Sequence, residues 1–479
     1  MTAIASMEPG IADELRQTLA LQRQAFLAEL PVGLAQRVDR LQRLIRLLQE
    51  NSEALCDAMH RDFGQRSRHV SQLTDIVYSL RNARHAIRRL KRWSKPSRRS
   101  LDFPLRLLGG DARVEYQPKG VIGILSPWNF PIYLTLGPLA GVLAAGNRAM
   151  IKPSELTPAT SALLAELIER YFDRSEVAVF VGGIEVGSAF SALPFDHLVF
   201  TGGGGVGRHV MRAAADNLVP VTLELGGKSP VVVSASADIE RAAERIVLGK
   251  LLNAGQICLA PDYVLVERSV EERLVQALMD KAAAFFPRYA GNPDYTAIID
   301  ARHFARLQGY LADAAERGAE VLRAGGVEAD EASRILPFSL VRNPPEDSAI
   351  MRNEIFGPLL PVLGYGRLDD AIEFINRRDR PLGLYYFGER SAEERHLLER
   401  TIAGGVTLND VVFHVMQEEL PLGGVGASGI GRYHGHEGFL EFSHAKAVYR
   451  QPKFDIAALL GAKPPYGDKL ERYIRKELK

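Results

Sequence analysis

The sequence predicts an α/β protein with two doubly wound parallel sheets. Three observations lead there. The chain has 479 residues, enough for two or three domains at roughly 100–200 residues each. Its middle alternates short apolar runs with helical stretches, the pattern of a parallel sheet covered by helices. A second alternating set begins at Pro230–Val233 and continues to about Leu408. Hydrophobic residues at 46% and charged residues at 24% supply an ample core and exclude wholesale disorder.

The elements follow in chain order. The opening MTAIASMEPGIADELRQ has no basic segment leading into an apolar one, so no signal peptide is expected. From Leu15 to about Trp93 the apolar spacing is helical, as in Val38, Leu41, Leu44, Ile45 and Leu48. A basic run closes this region: Arg81, Arg84, Arg88, Arg89, Lys91, Arg92, Lys95, Arg98 and Arg99. Ala83, Ala86, Ile87 and Leu90 point the other way, so the run reads as a solvated helix face rather than a nucleic-acid surface. A net charge of +1 agrees with that reading.

Residues 120–147 carry no Asp, Glu, Lys or Arg, which is long enough to suggest a membrane span. Pro127, Pro131 and Pro138, with Asn129 among them, argue instead for a buried strand, a proline-bracketed turn and a helix. Strands are expected at Val121–Leu125, 149–151, 177–181, 197–200 and 221–223, with helices at 159–172 and 206–215 between them. After the strand Pro230–Val233 comes a helix over 239–252. The tail ends in a charged helix, KLERYIRKELK, with too little apolar content to anchor in a membrane.

Four segments carry chemistry. In HLVFTGGGGVGRHV a strand leads into Gly202, Gly204 and Gly207 with G-x-G-x-x-G spacing, and a helix follows. Such a loop lets backbone approach a diphosphate at a helix N-terminus. Equally, it could be a glycine-rich turn with no ligand. Glu224, in VTLELGGKSP, ends the next strand. The dinucleotide fingerprint would give it to a ribose, whereas partial desolvation at a strand end would suit a general base. A salt-bridged structural glutamate is the plainer alternative.

The chain has two cysteines, which exclude a disulfide scaffold and a four-thiolate zinc site and suit a reducing cytoplasm. Cys56 sits on an N-terminal helix, while Cys258 lies between a helix-like segment and a strand. Only these two could supply a catalytic thiol. In ILSPWNFP, Asn129 is an uncharged donor between prolines, suited to an oxyanion site or to satisfying loop backbone. His434, His436 and His444 have no partner cysteines and no H-x-x-x-H pair, so no metal site is expected.

Together SPWNFP, IKPSE, VFTGGGGVG, LELGGKSP, GQICLAPDYV, NEIFGP and LPLGGVGASGIGRYHG resemble the aldehyde dehydrogenase superfamily, in the family's order and across nearly the whole chain. APDYV, FGP, GGVGASG and YHG resemble its class-3 branch, and within it the bacterial coniferyl aldehyde dehydrogenases.

The resemblance implies two doubly wound open-sheet domains, one a Rossmann-like cofactor domain and one an α/β catalytic domain, plus a small β oligomerisation element. The cofactor domain would take residues 1–97, 120–224 and 413–442, and the catalytic domain 225–412. Oligomerisation strands would lie in 98–119 and 443–455, followed by a tail at 456–479. It also implies roles. Cys258 would be the nucleophile and Glu224 the base, moved from ribose to chemistry. The Asn129 amide and the Cys258 backbone N–H would form the oxyanion site. Cofactor contacts would come from Trp128, Lys152, Glu155, Gly202, Gly203, Gly204, Gly205, Val206, Gly207, Leu225, Glu354 and Phe356.

The implied activity is oxidation of a small-molecule aldehyde, bulky and aromatic such as coniferaldehyde, to the free acid. NAD is the expected cofactor, with NADP also possible, because a carboxylate at Glu155 disfavours a 2′-phosphate. Tyr133, Phe130 and Phe413 are candidates for the substrate entrance. A cytoplasmic homodimer is expected, with no nucleic-acid or membrane partner. An aliphatic aldehyde dehydrogenase and a catalytically silent binding homologue are the alternatives.

Overall fold

The computed structural model describes residues 10–103 and 105–479. Residues 1–9, included above in the search for a leader, and residue 104, in the segment 98–119 expected to hold an oligomerisation strand, lie outside the described residues. The N-terminal region is a set of helices whose spacing buries one face each. In the helix Leu34–Glu50, Leu41, Leu44, Leu47 and Leu48 are fully buried. The helix Tyr78–Trp93 buries Ala83, Ala86 and Leu90. Its basic side faces outward, where Arg81 meets Glu418 at 3.1 Å and Arg89 meets Glu419 at 3.0 Å.

The charge-free stretch folds as a strand and a helix. Val121–Leu125 is buried at every position, as a central strand must be, and Tyr133–Ala145 is a helix apolar on nearly all sides. Six strands make the first sheet, in the spatial order Gly429–Ile430, Val221–Leu225, His197–Gly202, Val121–Leu125, Arg148–Lys152, Val177–Val179. All pair in parallel except the short Gly429–Ile430. The chain runs outward from Val121–Leu125 to Val177–Val179, then returns to His197–Gly202 on the other side. That reversal is the switch point at which such sheets open a crevice beyond their carboxyl ends.

The second sheet has seven strands drawn from residues 230–408 and is parallel apart from the edge strand Glu320–Arg323. A three-stranded antiparallel sheet joins Ser97–Arg98, Asp111–Pro118 and Ser443–Arg450. The fold is therefore the α/β arrangement with two wound sheets that the alternation predicts. Boundaries differ slightly: the strand expected over 177–181 stops at Val179. Among the described residues no helix is long and apolar enough to cross a membrane.

Candidate active site

Two loops at the switch point begin the site. Pro127, Trp128 and Asn129 follow the strand Val121–Leu125, and Gly202 and Gly203 end the neighbouring strand and begin the helix Gly204–Ala215. Asn129 is buried, and its side-chain N–H donates to the Gln256 carbonyl at 3.1 Å. An amide has two such donors, so one is anchored and the other remains available to the cavity.

Cys258 comes from the loop that leads into Tyr263–Glu267, a strand of the second sheet. The helix Ile239–Leu251 ends in a tight turn in which Asn253, Ala254 and Gly255 have φ of 52°, 53° and 72°. Consecutive left-handed residues persist only where the surroundings hold them. Here Gln256 donates to the carbonyls of Asn253 and Ala297, both at 3.0 Å, and Asn253 donates to the Asn129 carbonyl at 3.1 Å. A Cβ on Gly255 would overlap the Gly357 carbonyl oxygen, so the turn also needs glycine for space. These bonds tie the cysteine loop to the Asn129 loop.

Glu224 and Glu354 complete the polar part. Glu224 is buried near the end of the strand Val221–Leu225, and among the described residues neither carboxylate oxygen has a side-chain hydrogen-bond partner. Burial first, and then Glu441, hold its pKa well above the ordinary carboxylate value. Glu354 lies against Gly226, where any side chain would overlap its carboxylate. Its loop is pinned by the Ile355 N–H donating to Asp262 at 2.9 Å and by Lys228 donating to the Ile350 and Asn353 carbonyls, both at 2.8 Å. Burial, followed by the Asp262 charge, pushes Glu354 up to about 8, and its Oε1 is unpartnered.

These residues surround one cavity of about 290 Å³. Its walls include Trp128, Asn129, Gly202, Gly203, Glu224, Leu225, Cys258, Glu354 and Phe356. Lys152, Glu155, Gly204, Gly205, Val206 and Gly207 are not among them. Lys152 and Glu155 pair with each other at 3.0 Å, after a strand farther along the same carboxyl edge. Gly204–Gly207 form the first turn of a helix, with open space beside Gly204 and Gly205, while Gly207 packs on Leu225. Burial, then Glu354 and Glu224, push the Cys258 thiol up to about 12.

A second cavity of about 70 Å³ reaches Cys258 from the other side. Phe130, Tyr133, Leu252, Ile257, Val412 and Val415 form an almost wholly apolar wall. Phe413, an expected entrance residue, is not in that wall and is 41% exposed. Val412 takes φ 65°, and the chain reversal there turns Val412 and Val415 inward instead.

The sequence reading missed His303, Arg306 and Tyr310, which close the larger cavity from the helix Ala301–Glu316. Their spacing of three and four on one helix was the available signal. His303 and Phe356 pack edge-on against Trp128 at 5.3 Å each. The tunnel residues Thr74, Tyr78 and Met416 were missed too.

A thiol, a buried carboxyl and an amide donor thus line one cavity, and the thiol also borders the second. The family model described as the aldehyde dehydrogenase family matches residues 2–448. The chain belongs to the aldehyde dehydrogenase family. A coniferyl aldehyde dehydrogenase of Pseudomonas sp. (strain HR199 / DSM 7063) is similar to it, with 50% identity over 463 residues, 96% of this chain and 95% of that one. Among solved structures, the substrate-bound state of Staphylococcus aureus AldH aligns with TM-score 0.90 and 37% identity over 97% of this chain and 99% of that one. PnpE in complex with nicotinamide adenine dinucleotide aligns with TM-score 0.84 and 26% identity over 93% and 91%. This chain is an aldehyde dehydrogenase, and nicotinamide cofactors are used by members of its family.

Proposed function

We propose that this aldehyde dehydrogenase oxidises a bulky aromatic aldehyde, such as coniferaldehyde, to the free acid with NAD. The observation that carries the reading is the junction of two unlike cavities at Cys258, one almost entirely apolar and the other bearing Glu224 and Glu354. An aromatic aldehyde suits the apolar wall, and the similarity to a coniferyl aldehyde dehydrogenase supports that class.

The larger cavity suits the nicotinamide end of a dinucleotide, whose remainder would run past the helix start at Gly204 outside it. Gly203, Gly204 and Gly205 leave open space at a helix N-terminus, where a diphosphate is favoured. The unpartnered Glu354 Oε1 suits a ribose hydroxyl, with Trp128, Leu225 and Phe356 beside it. We assign the adenosine ribose to Lys152 and Glu155, paired at 3.0 Å, and the Glu155 carboxylate supports NAD over NADP. When bound, the nicotinamide accepts the aldehyde hydrogen as hydride.

Cys258 gives up its thiol proton to solvent hydroxide, forming water, and the Sγ thiolate adds to the carbonyl carbon. Asn129 and the Cys258 backbone N–H stabilise the oxyanion. Loss of hydride leaves a thioester on Cys258. Glu224, once ionised, takes a proton from water; the hydroxide adds to the thioester, and the thiol departs as the acid is released. Hydrolysis by Glu224, rather than transfer to a second thiol, is what makes the product a free acid.

The three sheets support a division into cofactor, catalytic and oligomerisation parts with the boundaries expected above. Among the described residues the outer edge of Ser443–Arg450 carries no further strand, and an edge of that length supports a homodimer. Two free thiols suit a cytoplasmic enzyme. The deciding experiment measures kcat/KM for coniferaldehyde, benzaldehyde, hexanal and decanal with NAD and NADP. Preference for the aromatic pair with NAD is expected. Superior rates with decanal would refute the substrate class, and absence of NADH with every aldehyde would refute catalysis.

A further inference from the structure

Arg66 and Asp75 form an ion pair at 2.8 Å in which both side chains are wholly buried. Burying two charges costs several kcal/mol per ion before their attraction offsets it, and well-packed apolar residues often serve stability as well. What the pair touches is therefore informative. Arg66 Nη1 donates to the Asn129 carbonyl at 2.8 Å, and its Nε donates to Ser71 Oγ at 3.1 Å. Its guanidinium lies over the Phe63 and Phe130 rings, 4.5 and 5.4 Å from their centroids. Asp75 Oδ1 accepts the backbone N–H groups of Ile132 and Tyr133 at 3.1 and 3.2 Å, and Thr74 Oγ1 donates to its Oδ2 at 3.1 Å.

The pair thus grips the loop on both sides of the oxyanion donor. Asp75 holds the residues that start the helix Tyr133–Ala145, and it sits in a π-helical turn, Gln72–Val77, a distortion frequent at functional sites. Arg66 holds the carbonyl of Asn129 itself. Asn253 binds the same carbonyl, and Gln256 takes one of the two side-chain N–H groups. With backbone and side chain both fixed, the remaining N–H of Asn129 has one direction in which to point. None of the family motifs includes Arg66 or Asp75.

We propose that the Arg66–Asp75 pair is a positioning device that aims the Asn129 amide at the oxyanion, an inference resting on the reading of Asn129 as that donor. Its chemical effect is confined to the steps in which carbonyl oxygen becomes anionic, and cofactor binding is untouched.

The test compares Arg66→Lys, which keeps the buried charge but loses the two-armed fork, with Arg66→Met/Asp75→Asn, which removes both charges and leaves an amide to accept from Ile132 and Tyr133. Each is made in the wild type and in Asn129→Ala, and folding is checked by thermal melting. With benzaldehyde and NAD, Arg66→Lys should lower kcat and the NADH burst rate by roughly 10- to 100-fold, the scale of a small misplacement of a reacting group. KM for NAD should stay within about twofold, and neither variant should slow Asn129→Ala further, since residues acting through one group are non-additive. A folded Arg66→Lys enzyme with wild-type kcat would overturn the proposal, as would a loss that multiplies fully with Asn129→Ala. If the double variant does not fold, Arg66→Lys decides alone. Failure of the underlying reading looks different: Asn129→Ala would then itself retain full turnover.

Discussion

Cys258 in the cofactor-free enzyme should be a slow thiol whose reactivity climbs steadily with pH. Its pKa is raised from 9.0 to about 12, first by burial and then by Glu354 and Glu224. Three pKa units reduce the thiolate fraction near neutrality by about a thousandfold. A more basic thiolate is also a better nucleophile, and a Brønsted slope of roughly 0.4–0.5 returns about 15- to 30-fold of that loss. Alkylation at pH 7.5 should therefore run clearly slower than for an ordinary accessible thiol, with burial as the main cause.

The assay is iodoacetamide labelling of the cofactor-free enzyme from pH 6 to 10, with the Cys258 peptide quantified by mass spectrometry. Cys56 is buried and pushed up to about 11, so it is followed as a separate peptide. The Cys258 rate should keep rising with pH without levelling, less steeply near pH 8, where Glu354 gains its charge. Glu354, at about 8, is ionised only above that pH, where its charge opposes the thiolate. Glu354→Gln should then accelerate labelling at pH 9 and change little at pH 6. A plateau below pH 9, or slower labelling of Glu354→Gln at pH 9, would refute the assignment of cause.

Other outcomes follow from the same geometry. Glu224→Gln should give a burst of NADH and then almost no steady turnover, seen by stopped-flow absorbance. In the wild type, deacylation should rise with pH, because a base with a raised pKa is in its working form only above that pKa; the rising limb should vanish in Glu224→Gln. Asn129→Ala should lower kcat by about 100- to 1000-fold, the usual consequence of removing one oxyanion donor, with KM for NAD little changed. Gly255→Ala should lower the melting temperature and abolish activity, since its Cβ would overlap the Gly357 carbonyl at a residue with φ 72°. Val415→Trp should raise KM for benzaldehyde while leaving NAD binding intact, as measured by fluorescence titration.

Much of the fold was legible because its signals are local. An uncharged run broken by prolines can only be a buried strand, turn and helix, and 120–147 folds so. Glu224, Cys258 and Asn129 were visible as unusual polar or nucleophilic residues at element ends. Arg66 and Asp75 were not, because nothing near them in sequence distinguishes a buried arginine from a solvated one; their meaning comes from a loop more than fifty residues away. Phe413 misled for a similar reason. Hydrophobicity says that a residue prefers cover, but the backbone turn at Val412 decides which neighbour receives it.

The two carboxyls of the larger cavity show how burial divides the work between chemically identical groups. Both are raised, yet Glu354 is held by its loop against Gly226 and moderated by Lys228 and Arg306, so its pKa stays near 8. Among the described residues Glu224 has no side-chain partner on either oxygen, and the Glu441 charge raises it further, with only the Gly424 backbone N–H opposing. An unpartnered buried carboxyl is a cost to stability, which a structural glutamate would relieve with a hydrogen bond or an ion pair. That bland reading of Glu224 requires a salt bridge, and among the described residues it has none. A carboxyl without a side-chain partner keeps the bonding capacity that the proposed base would use on a water. Glu354, fixed and with one free oxygen, is suited to holding a ligand instead. The assignment of base to one and binding to the other therefore rests on their hydrogen-bond environments, independently of the motifs in which they occur.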